Sequence, residues 1–193
     1  LDSRWDPTIE STVILDDYSF GVFSTPSGLS IGKHEAVELR DKDQARYSGK
    51  GVLRALEKIY SVISPSILGK DAAQQRIIDN IIIEADKTKD KSNLGANAML
   101  AISGAVAKAQ ARSQNVGLYQ YINEISQIKL ERFEVPTPMF NILNGGLHGS
   151  GNVDFQEFLL VPKKSASYSE NLRAGVEIYY HLKQTIATHS GIV

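Results

Sequence analysis

Residues 93–114, NLGANAMLAISGAVAKAQARSQ, form a helix-length run dominated by Ala, Gly and Ser. Side chains this small let a neighbouring element come close to the helix backbone. The run therefore predicts a tightly packed core helix, not a binding element. Such a helix needs other elements around it, and the preceding sequence supplies them. Thr8–Leu15 is rich in β-branched residues, and Phe20–Thr25 reads as its hairpin partner across DDYS. A helix is predicted over 51–63, with Leu53, Leu56, Ile59, Tyr60 and Ile63 on one face and Ser64-Pro65 as its stop. Further helices are predicted over 71–86 and 117–125, and KTKDKSN (87–93) reads as a solvated connector. Between hairpin and helices lies TPSGLSIGKHEAVELRD (25–41), whose Gly, Pro and Ser content predicts a mobile loop.

The pattern changes near residues 126–136. PMFNILN (138–144) reads as a strand, a glycine-rich loop follows, and FQEFLLVP (155–162) reads as a second strand. A long helix starts at Ser167, which has capping-box spacing to Glu170, and Leu172, Val176, Tyr179, Tyr180 and Leu182-Lys183 continue its helical stripe. Two domains are expected: an α+β unit over 1–126, and a second unit over 127–193 that opens strand, strand, helix. The chain begins on Leu and stops on GIV just after a helical pattern. Both ends are expected to be cuts in a longer chain.

Composition narrows the function. A net charge of -1 gives no electrostatic case for nucleic acid or an anionic membrane. The absence of Cys excludes disulfides and thiolate metal sites, and suits a cytoplasmic protein. No apolar run reaches the length of a membrane span.

The segment NGGLHGSGNVDFQEF (144–158) carries the most chemistry. If it links two antiparallel strands, His148 in its loop and Glu157 near the start of the second strand share one rim. Alternation puts Phe155, Glu157 and Leu159 on one face and Gln156, Phe158 and Leu160 on the other. A carboxylate among apolar neighbours is desolvated, which suits acid or base work. A histidine on a Gly-rich loop can swing onto a ligand. The plainer alternative is a solvated loop histidine and a solvated strand glutamate. There is no HExxH and no close-spaced carboxylate cluster.

Several stretches together resemble the enolase family. LDSRWDPTIE is similar to that family's DSRGNPTVE opening, and 25–41 to its PSGASTG-x-x-EA-x-E-x-RD loop. YSGKGVLRA, LGANAMLAISGAVAKA and VPTPMFNILNGGLHGSGNVDFQEFLLVP match further family motifs, in family order, across essentially the whole chain. The resemblance implies an N-terminal α+β domain followed by the first strands and helix of an incomplete TIM-like barrel. It also implies a lyase of glycolysis, phosphopyruvate hydratase, which interconverts 2-phosphoglycerate and phosphoenolpyruvate with Mg²⁺ and works as a homodimer. By the family pattern Ser30 would complete a Mg²⁺ site. His148 would close near the substrate phosphate, and Glu157 would lie near the leaving hydroxyl. Gln156 would support the substrate site, with His34 a weaker candidate in the closing loop. The family's GDEGG segment, its Mg²⁺ carboxylates and its base Lys are not among these residues, so the fragment alone is expected to be inactive. The chain departs from the pattern at Trp5, where the family has Gly, at Asp6, and at Ile31 and Gly149. Those departures leave a rival reading open, an enolase-like protein kept for binding or structure.

Overall fold

In the computed structural model, which describes residues 1–28, 32–146, 153–163 and 167–190, the small-residue run is helix α4, Ala96–Ser113. Its Ala98, Ala101, Ile102, Ala105, Val106 and Ala109 are buried. Strands β1 (Glu10–Ile14) and β2 (Phe20–Ser24) pair antiparallel, with Glu10 opposite Ser24 and Ile14 opposite Phe20. The strand and helix meet nearly backbone to backbone. A Cβ on Gly21 would fall 2.2 Å from the Ala105 carbonyl oxygen and 2.3 Å from the Ala109 nitrogen. Gly104 returns the fit, because a Cβ there would meet the Phe23 ring at 2.6 Å. Cationic side chains of α4 then reach over the hairpin. Lys108 Nζ donates to the Val22 carbonyl at 2.9 Å, and the Arg112 guanidinium lies 4.0 Å from the Phe20 ring centroid.

Around α4 pack α1 (Leu53–Lys58), a π-helical turn (Ile59–Ile63), α3 (Gln75–Asp86) and α5 (Leu118–Ile125), while α2 (Ser64–Ile67) lies against the π turn and α3. Two expectations change here. The buried stripe of the first helix is Ala55, Ile59 and Ile63, while Leu53 and Tyr60 are 57% and 75% exposed. Nor does Ser64-Pro65 end it. Ile63 and Ser64 keep helical backbone, so the rod runs on through Pro65 into α2, with the π turn immediately before the proline. Helix α3 starts at Gln75 and not at 71, because Asp71 folds the preceding residues into a turn. Its carboxylate accepts from the Ala73 amide at 2.9 Å, and its carbonyl from the Gln74 amide at 3.1 Å.

The charged connector after α3 is better organised than a solvated strand of chain. Asp86 is fully buried and accepts hydrogen bonds from the Thr88 amide at 2.9 Å, the Leu94 amide at 2.7 Å and the Thr88 hydroxyl. Burial pushes this carboxyl up, but those donors and nearby Lys91 outweigh it and hold it below the usual 3.8.

The contacts divide the chain into two compact units, Leu1–Leu130 and Glu131–Val193. The second holds β3 (Phe140–Asn144), β4 (Glu157–Leu160) and α6 (Tyr168–Ser190). β3 and β4 are antiparallel, with Phe140 opposite Leu160, Asn144 opposite Glu157, and an irregularity between Asn141 and Leu143. Ser167 caps α6 by accepting from the Glu170 amide at 3.3 Å, while the Glu170 carboxylate turns to Arg173 at 2.7 Å. Gly175 lets α6 onto the hairpin, since a Cβ there would lie 2.5 Å from the Phe140 ring. The expected stripe of Leu172, Val176, Tyr179 and Tyr180 is exposed, because two strands are too narrow to cover it. Among the described residues both sheets are two-stranded and no barrel closes.

Candidate active-site segments

Two segments carry the residues expected to act. The first is residues 25–41. Its outgoing and returning legs are anchored by hydrogen bonds, which the mobile-loop expectation did not include. Thr25 is buried, its amide donates to the Ile9 carbonyl at 2.8 Å, and its hydroxyl donates to the Asn97 carbonyl at 3.1 Å. On the return, Leu39 is buried between the two ends of one amide: Asn97 Oδ1 accepts from the Leu39 amide at 3.0 Å, and Asn97 Nδ2 donates to the Leu39 carbonyl at 3.1 Å. Val37 adds backbone bonds to Asp90 at 2.7 Å and Ala96 at 2.8 Å. His34 lies in an exposed turn of this segment. Ser30 and Ile31 fall outside the described residues.

A cleft of about 480 Å³ lies beside this segment, lined by Arg4, Ser27, Glu35, Glu38, Arg40 and Lys50 among others. Two of its cations are already paired, Arg40 with Glu38 at 2.7 Å and Lys50 with Asp6 at 2.8 Å. At its edge the chain start forms a knuckle. The Asp2 carboxylate accepts from the Ser27 hydroxyl at 2.6 Å, the Arg4 amide at 2.8 Å and the Asp6 amide at 2.9 Å. The Ser27 bond leads in drawing this carboxyl down to about 2. Trp5 sits on the knuckle with φ of +67°, a backbone shape suited to glycine, and its ring is 79% exposed.

The second segment is the turn of the β3–β4 hairpin. Glu157 is the first residue of β4, opposite Asn144, the last of β3. Gly145 and Gly146 follow, and their amides donate to the carbonyls of Gln156 at 2.9 Å and Val153 at 2.8 Å. A side chain on Gly145 would strike the Phe155 carbonyl at 2.2 Å, so only glycine permits this closure. His148 and Gly149 fall outside the described residues.

The apolar surroundings expected for Glu157 are not there. Glu157 and Gln156 are exposed, and Phe155 is 74% exposed. The strict alternation of faces also fails. Phe155 precedes β4, so its ring is free to meet that of Phe158 edge-on, with centroids 6.1 Å apart. The hairpin and α6 supply too little apolar surface to exclude water from the carboxylate.

Sequence reasoning missed Asn97 altogether. The available signal was an Asn embedded in a run of Ala, because a polar side chain on a buried helix face must find partners.

These features define a class of chain in which an α+β domain is followed by an antiparallel strand pair and a helix, with polar residues gathered at the turn of that pair. Sequence models give the family. That of the enolase N-terminal domain matches residues 1–122, and that of the enolase C-terminal TIM barrel domain matches residues 132–193. The chain belongs to the enolase family, a family of lyase-type enzymes that are generally Mg²⁺-dependent. Among the described residues no three His, Asp or Glu side chains come together in a way that would hold a metal ion, so these residues do not by themselves fit a Mg²⁺ site. No helix among them is long and apolar enough to cross a membrane.

Proposed function

We propose that this chain is the N-terminal portion of a phosphopyruvate hydratase, a cytoplasmic homodimer that interconverts 2-phosphoglycerate and phosphoenolpyruvate. In this reading residues 1–126 are its α+β domain and 127–193 the start of its barrel. The observation that carries the reading is the pair of family matches, in order, over 1–122 and 132–193. The hairpin supports it, because its register sets Glu157 beside Gly145 and Gly146 at the end of the strand pair, where barrel enzymes place their chemistry.

The reaction removes the proton at C2 of 2-phosphoglycerate and expels the hydroxyl at C3. Glu157 is assigned to the leaving oxygen, where a carboxyl group can hold or pass the departing proton. Gln156 supports the substrate, and His148 closes near the phosphate from the hairpin loop. His34 contributes from the 25–41 segment, and Ser30 is the residue assigned to Mg²⁺. An acid–base role for Glu157 requires that further protein cover it, since in the described unit its side chain stands in water.

A turnover assay tests this. With 2-phosphoglycerate and Mg²⁺, the 193-residue chain is expected to give no protein-dependent phosphoenolpyruvate. The product of the uninterrupted reading frame is expected to turn over, and Glu157→Gln in that protein to lower kcat by about 10²–10⁴-fold, the usual range for a lost acid–base group. Turnover by the isolated chain would remove the assignment of the chemistry to residues outside it. An inactive parent protein would favour the binding or structural reading, which the exposed Trp5 at a glycine position already fits.

A further inference from the structure

Asn97 is buried to 4% exposure on the first turn of α4, and it touches both ends of the 25–41 segment. Its main-chain carbonyl takes the Thr25 hydroxyl at 3.1 Å. Its side-chain amide is used at both ends on Leu39, accepting at 3.0 Å and donating at 3.1 Å. The outgoing and returning legs therefore close on one residue. A second rung lies above the first. The Gly28 amide donates to Glu38 Oε1 at 2.9 Å, and Glu38 Oε2 is held by Arg40 at 2.7 Å. Arg40 is itself fixed, donating to the Lys50 carbonyl at 2.8 Å and to the Pro7 carbonyl at 2.5 Å. On the outgoing side the Ser27 carbonyl accepts from Arg4 at 2.8 Å.

We infer that Asn97 and Glu38 are positioning residues that tie two described legs of chain, 25–28 and 37–40, to each other at a two-rung neck. Its importance for catalysis rests on the function proposed above; its existence does not. The physical reason is the entropy of the loop. A chain segment tied only by its covalent ends samples many end-to-end separations, while one closed at a neck samples few, and its polar side chains lose correspondingly less freedom on meeting a ligand. The chemistry of the rungs suits a neck. The first joins the Thr25 hydroxyl to the main-chain carbonyl of Asn97 and both polar groups of Leu39 to its side-chain amide, which makes the returning side specific in geometry. The second is a carboxylate shared between an amide and a guanidinium, which makes it strong.

The two rungs make separable predictions for amide hydrogen exchange in the 193-residue chain. Asn97→Ala is expected to speed exchange at Leu39 and also at Gly28 by on the order of tenfold, with the α4 amides of Ile102 and Val106 unchanged. Glu38→Ala is expected to free Gly28 alone. Acceleration confined to Leu39 in Asn97→Ala would overturn the coupled neck. So would equal acceleration throughout α4, which would mean general loosening of the core. In the protein from the uninterrupted reading frame, Asn97→Ala is expected to raise KM more than it lowers kcat. If the unmodified parent protein does not turn over, the functional reading falls, and the exchange result alone still decides whether the neck exists.

Discussion

Trp5 is the residue most at odds with its own backbone. A left-handed φ costs an ordinary L residue about 1–2 kcal/mol, and the exposed ring recovers little of that by packing. Trp5→Gly is therefore expected to stabilise the chain by about 1 kcal/mol after allowing for the extra freedom of glycine when unfolded, seen as a higher Tm. The family motif exposed the mismatch at the sequence level, and the observed φ supplies its physical content. Asp2 and Asp86 make a second residue-level case. Both carboxyls sit below 3.8 in the folded chain, so each adds stability that is complete above the ordinary carboxylate range and is lost as pH falls through its depressed value. Melting temperature is expected to fall on acidification below about pH 4, and Asp2→Asn to flatten the part of that fall that extends toward pH 2. A melting temperature indifferent to pH across this window would contradict the hydrogen bonding at both sites.

Among the elements, the β1–β2 hairpin and α4 share the tightest contact. Gly21→Ala would drive a methyl group into the Ala105 carbonyl and the Ala109 amide, neither of which can move without displacing α4. It is expected to cost about 2–3 kcal/mol, measured by denaturant unfolding with an unchanged m value. This contact was legible in outline, since a helix full of Ala, Gly and Ser announces a close neighbour, though not which strand. The rod from α1 to α2 was legible in place but not in detail. Period-3.6 reasoning put Leu53 and Tyr60 inside, whereas the π turn leaves a buried stripe spaced by four at Ala55, Ile59 and Ile63. Propensity also overstated Pro65 as a stop, because a π turn directly before it carries the helix past the proline. Among the described residues of the 25–41 segment there is no helix or strand, as composition suggested, but composition missed the anchors, since hydrogen bonds from Asn97 span the sequence at long range.

For the whole chain, the division into two units at Leu130 and Glu131 has a direct consequence. The stretch around it is exposed, with Ile128 at 80% and Val135 at 72%. Limited proteolysis is expected to cut first within residues 126–136, and a hydrophobic dye to bind the second unit, where Phe155, Val161 and Tyr180 are 74%, 54% and 61% exposed. Initial cleavage inside α4 would contradict this picture. The order of the units was legible because five motifs fell in family order. The surroundings of Glu157 were not, because whether a strand face is dry depends on elements packed against it, and neighbouring phenylalanines in sequence do not supply them. The single Trp of the chain has a last consequence. An indole in bulk water, fixed to the edge of the first unit, emits almost as it would from the unfolded chain. Fluorescence would be nearly blind to the melting of α4 and its neighbours, while circular dichroism would follow it in full. Disagreement between the two signals would then reflect where the fluorophore sits and would not signify an intermediate.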